Sequence, residues 1–156
     1  MKTTAYAALI CSAALLAGCI SVPEPTVLHM SELRNKDFGR YPDNYQAIIK
    51  RRLAETLIDP DSAKIAGFTP PRKYLRVYQD FKTQRLTYYP SYAVCVRINS
   101  KNSYGGYTGW QTKMFRFKNN TIEGNPTGAY AACTSKDEIY IDTTLIFGGD
   151  QVNIVP

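Results

Sequence analysis

Four cysteines, at positions 11, 19, 95 and 133, and a single histidine, His29, bound the chemistry open to this chain. A thiol nucleophile needs a base beside it, and the one imidazole lies in a stretch that reads as a linker. A closed zinc site takes four Cys or His ligands, and Cys95 and Cys133 have no histidine near them, so no metal site is expected. Carboxylates are present at Asp80, Glu123, Asp137, Glu138, Asp142 and Asp150. None stands in a context that marks a pocket, so no catalytic set and no cofactor are expected.

The most distinctive internal stretch is "VRINSKNSYGGYTGWQ", in which Gly105, Gly106 and Gly109 alternate with Tyr104, Tyr107 and Trp110. No Gly-Lys-Ser/Thr follows, which excludes a phosphate-binding P-loop, and neither the glycine spacing nor the following segment suits a dinucleotide fingerprint. One reading is a long hairpin turn whose glycines take positive φ. The other is a rigid aromatic platform. On that reading Lys101, Asn102, Tyr104, Tyr107 and Trp110 form a candidate binding surface for sugars or flat groups.

Cys19 stands apart from the other thiols. Lys2 opens the chain, residues 5–17 are almost wholly apolar or small, and "LLAGC" ends the run before "ISVPEPTV" turns polar. A basic start and a short apolar core are features of a secretory leader. The run falls short of the roughly 20 residues a bilayer-spanning helix needs. Leu16-Ala17-Gly18-Cys19 resembles the lipobox of bacterial lipoproteins. That resemblance implies lipidation of the Cys19 sulfur, removal of residues 1–18 as signal peptide, and membrane attachment through the lipid. Ile20 after the cysteine implies delivery to the outer membrane, and the expected location is that membrane, facing the periplasm. Cys11 would leave with the leader. Export also places Cys95 and Cys133 in an oxidising compartment, where a disulfide between them is the expected state. On the chain-entropy model it contributes about 3–4 kcal/mol.

These residues need a scaffold. Residues 19–40, with two prolines and no sustained period, read as a tether, although Val27, Leu28 and Met30 could dock on the body. Residues 41–156 read as one globular domain, an ordinary length for a single core. Within it, Tyr45, Ile48, Ile49, Arg52, Leu53, Thr56 and Leu57 recur at helical spacing, with Asp43 or Asn44 as cap and Asp59-Pro60 as stop. The remainder is strand-like: "IAGF", "KYLRVYQ", "RLTYYPSYAVCVRINS" with a break at Pro90, "KMFRFKNNTIEG" with an Asn-Asn turn, and "DEIYIDTTLIFGGDQVNIV". A helix from Ser135 is the alternative for the start of the last. In the second half of the long strand Tyr92, Val94, Val96 and Ile98 share one face, which should meet the helix. Cys95 and Arg97 share the other, which should meet the segment bearing Cys133. The expected fold class is α+β: an antiparallel sheet of four to six strands with one N-terminal amphipathic helix packed on one face. "DPDSAK" followed by "YAVCVRINSKNSYGGYTGWQ" resembles a group of short exported or prophage-associated bacterial proteins with Asp-Pro-x-Ser-Ala after a helix and Asn-x-Lys-Asn-Ser-(Phe/Tyr)-Gly-Gly-Tyr after a Cys-bearing strand. The resemblance covers about residues 44–115 and implies one structural unit.

The net charge is +6, of which the leader carries one Lys and no acid. Twelve tyrosines against one Trp and six Phe suit half-wet sheet faces. A basic exported protein would meet anionic glycans or an envelope protein partner rather than nucleic acid. The expected function is a non-catalytic envelope lipoprotein acting as an interaction or scaffold module. The alternative is an inhibitor of a secreted enzyme such as a lysozyme, which would need an acidic face built from Asp137, Glu138 and Asp142.

Overall fold

The computed structural model describes residues 25–128, 130–146 and 152–156. Cys19, the leader and Asp150 lie outside the described residues.

The body is a six-stranded sheet. Its spine is β4 (Leu86–Asn99), flanked by β3 (Arg72–Gln79) and β5 (Gln111–Lys118), with β6 (Thr121–Thr127) beyond β5 and β7 (Ile139–Leu145) beyond β3. β4 is long enough to take two partners on one edge. β3 pairs with Leu86 to Ala93, and β2 (Lys64–Phe68) pairs with Val96 to Asn99. Pro90 does not interrupt it. β5 pairs with β4 only from Tyr92 onward, so the edge opposite β3 is unpaired at Pro90, where a missing N–H is tolerated. The β5–β6 turn places Asn119 and Asn120 at φ 50° and 63°, the two positive angles a tight I′ hairpin requires.

The sheet is mixed rather than antiparallel, because β7 runs parallel to β3. β6 lies at one edge and β7 at the other, so the chain crosses the sheet between them. The crossing carries α3 (Tyr130–Thr134), which ends before Ser135, the residue where the alternative reading began a helix. Three helices are described, so the expectation of one N-terminal helix also needs correction. α1 (Met30–Arg34) follows β1 (Val27–His29), which pairs in parallel with β8 (Asn153–Val155). α2 spans Tyr45–Thr56 with Asn44 at its N-cap position, though no side chain caps it. From the stretch read as tether, Leu28, Leu33 and Phe38 are buried. They pack with Leu75, Val77, Ile139 and Ile146, and thus belong to the core.

Strand alternation divides the side chains between two faces. On the helix face, Val94, Val96, Ile98, Phe115 and Phe117 pack with Ile49 and Leu53 of α2. On the other face, Tyr74, Ala93, Cys95 and Met114 pack with Ala132 of α3. Cys95 and Cys133 form a disulfide with Cα atoms 5.8 Å apart. A helix of five residues is too short to hold itself in water, so the bridge and Ala132 fix α3 to the sheet. α3 covers only the middle of this disulfide face.

Candidate functional site

The connection from β4 to β5 is a hairpin whose tip is knotted by Asn102. Its Oδ1 accepts the N–H groups of Tyr104 at 3.0 Å and Gly106 at 3.1 Å. The Asn102 N–H donates to the Gly106 carbonyl at 2.9 Å. Gly105 and Gly109 take φ of 79° and 88°, angles that a side chain would strain. Lys101 and Tyr107 form a bridge, and the Gly109 N–H donates to Asn99 Oδ1 at 3.1 Å.

This hairpin is docked on the turn after α2. Lys101 Nζ donates to Asp59 Oδ2 at 2.8 Å, and the Tyr107 hydroxyl donates to the Ser62 carbonyl at 3.0 Å. The hydrogen bond from Lys101, with another from Ser62, holds the Asp59 carboxyl below its ordinary range. Asp59 in turn raises Lys101. The "DPDSAK" turn and the glycine–aromatic loop are therefore one unit. Of the five candidate surface residues, Lys101, Asn102 and Tyr107 are engaged in internal bonds. Tyr107 is nonetheless 44% exposed, much as Trp110 is at 45%, and Tyr104 is 94% exposed; what sets Tyr104 and Trp110 apart is that their side chains make no hydrogen bond among the described residues. The Arg97 guanidinium lies 5.2 Å from the Trp110 ring centre. Arg97 is exposed and makes no ion pair among the described residues.

Beside this pair, on the disulfide face, a cavity of about 290 Å³ opens between β2, β4 and α3. Arg97, Thr112 and Tyr130 line it together with Gly67, Cys95 and Cys133. The cavity and the exposed indole thus share Arg97, and the disulfide holds the α3 wall in place. Comparison with family models, with curated proteins and with solved structures found no match.

A second polar group is hidden under the sheet face. The buried Asp142 carboxylate accepts the Tyr74 hydroxyl and Arg76 Nε, the latter at 3.1 Å, on Oδ2. On Oδ1 it accepts the Thr144 N–H at 3.1 Å and the Thr144 hydroxyl at 2.6 Å. Burial pushes Asp142 up, but these donors, Thr144 first, outweigh it and hold the carboxyl below its usual range. Burial, then the hydrogen bond to Asp142 and the charge of that carboxylate, push the Tyr74 phenol well above its ordinary value, so it stays a donor. A carboxylate whose two oxygens each take two hydrogen bonds is a poor base, and the Tyr74 and Thr144 hydroxyls that face it are held as donors to it. The group is a structural clasp that fixes Arg76. Sequence reading missed it because Tyr74 and Arg76 lie 68 and 66 residues from Asp142.

That clasp also removes Asp142 from the acidic face an inhibitor of a basic enzyme would need. Glu138 pairs with Arg34 at 3.2 Å, and Asp137 accepts the Ser135 hydroxyl at 2.6 Å. Asp80 is taken up within its own turn by the N–H groups of Lys82 and Thr83. Among the described residues no three His, Cys, Asp or Glu side chains are grouped so as to hold a metal ion. No helix among them is long and apolar enough to cross a membrane.

Proposed function

We propose that this chain is a lipid-anchored, non-catalytic binding module of the bacterial envelope. Removal of residues 1–18 leaves Cys19 as the acylated N-terminus, held at the outer membrane and facing the periplasm. The domain then engages an anionic glycan, or an envelope protein partner with equivalent acidic groups, through Trp110, Tyr104 and Arg97.

One observation carries the reading. The loop uses Lys101, Asn102 and Tyr107 to brace itself and leaves Trp110 and Arg97 free beside a cavity. Bracing before contact lowers the entropy lost on binding. An indole next to an uncompensated guanidinium suits a ligand that combines a flat or sugar-like face with a negative charge. The net charge of +6 falls by only one when Lys2 leaves with the leader, so the processed domain stays basic and draws such polymers toward it.

The test is sedimentation of the processed protein with purified cell-wall glycan, comparing the native chain with Trp110→Ala and Arg97→Gln. Each variant should lose at least five-fold in apparent affinity while melting at the native temperature. Equal retention of both variants would remove the loop from the binding surface.

A further inference from the structure

Beyond α3 the disulfide face opens again. There β3, β4, β5 and β7 surround a groove of about 330 Å³ lined by Arg76, Tyr78, Tyr89, Arg116 and Leu145. Its walls are apolar and open: Tyr78, Tyr89 and Leu145 are all exposed. Adjacent exposed apolar groups of this kind mark interaction sites more often than scattered ones do.

The two arginines differ in a useful way. Arg76 is fixed, with Nε on Asp142 at 3.1 Å and Nη2 donating to the Tyr74 hydroxyl at 3.2 Å. Its charge is matched by Asp142. Arg116 makes no ion pair or side-chain hydrogen bond among the described residues, so its charge is unmatched by contact. Glu123 lies opposite it in the strand register, but the two form no ion pair. Gly124 adds no side chain where a Cβ would stand 3.4 Å from the Arg116 guanidinium. The groove therefore offers a fixed cation, a free cation and apolar walls in a volume suited to a small molecule.

We propose that this groove binds a small organic anion with an apolar body, a free carboxylate carried on an acyl chain or ring. The guanidinium fork matches a carboxylate, and Tyr78, Tyr89 and Leu145 receive the apolar part. The site is separate from the Trp110 surface and does not depend on it.

The test is a two-dimensional amide NMR titration of residues 19–156 carrying Cys19→Ser, a chain that contains every described contact. The probes are octanoate, octanol and octylamine. Octanoate should give saturable shifts at residues 76–78, 87–89, 116 and 145, at least five-fold tighter than octanol, with octylamine weakest. Arg116→Gln should weaken octanoate at least five-fold without changing the melting temperature. The proposal is overturned if octanoate gives no saturable shifts, if octanol binds equally well, or if Arg116→Gln has no effect. Shifts confined to the Trp110 cavity would also overturn it. Arg116-dependent binding to phosphatidylglycerol vesicles without octanoate binding would replace it with a lipid-surface contact.

Discussion

Replacing both Cys95 and Cys133 by Ala should destabilise the domain sharply. The bridge closes a segment with a sequence separation of 38. Loop-closure entropy for that length gives about 4 kcal/mol at room temperature. The native side adds little to offset this loss. α3 has five residues, Ala132 is its one buried residue, and nothing else covalent ties it to β4. For a domain of this size about 1 kcal/mol moves the melting temperature by roughly 3–5 °C. The doubly substituted chain should thus melt about 12–20 °C lower than the oxidised parent in parallel far-ultraviolet circular dichroism scans. The parent with reductant should approach the same value. The oxidised parent should release no thiol from the pair when denatured. A shift below about 4 °C would refute the reasoning, because it would mean that the bridge neither constrains the unfolded chain nor holds α3 against the sheet.

Three further outcomes follow from named contacts. The Asp142 carboxyl is held below its ordinary range, so its contribution is fully present above its unfolded value of about 3.9 and is lost as pH falls through the lower folded value. Asp142→Asn should lower stability at neutral pH by about 2–4 kcal/mol and should flatten the acid limb of urea midpoints measured against pH. Asp59 and Asp80 shift the same way and remain in both chains, so the difference between the two curves is the readout. Gly39 has φ 77°, and a Cβ there would stand 2.5 Å from Asn119 Oδ1, which accepts the Arg40 N–H. Gly39→Ala should cost at least about 1 kcal/mol in chemical denaturation, whereas Gly128→Ala, which meets nothing within 4 Å, should not. Tyr107→Phe removes the bond to the Ser62 carbonyl and should cost about 0.5–1 kcal/mol, with faster chymotryptic cleavage at Tyr104.

Local patterns carried part of this structure in plain sight. Alternation in β4 put Val94, Val96 and Ile98 on one side and Cys95 on the other, and the period of two leaves no third choice. The Asn119-Asn120 pair encoded its turn, because few other residues accept two positive φ angles. What escaped was non-local. The parallel entry of β7 depends on a crossing that α3 makes, and nothing in "DEIYID" states its partner. The β1–β8 pair joins residues from opposite ends of the chain. Pro90 looked like a break because sequence does not show which strand edge is unpaired. At the candidate site, the loop residues were visible as a group. Their division into braces and free rings was not, because it depends on Asp59 and Ser62, some forty residues earlier.

The intact mass of the natively expressed protein tests the central claim most directly. A lipid-anchored module predicts a chain that begins at Cys19, with residues 1–18 absent, acyl groups added to that residue, and the Cys95–Cys133 bridge intact. A chain that retains its first eighteen residues, or one that carries a free thiol at Cys19, would contradict it.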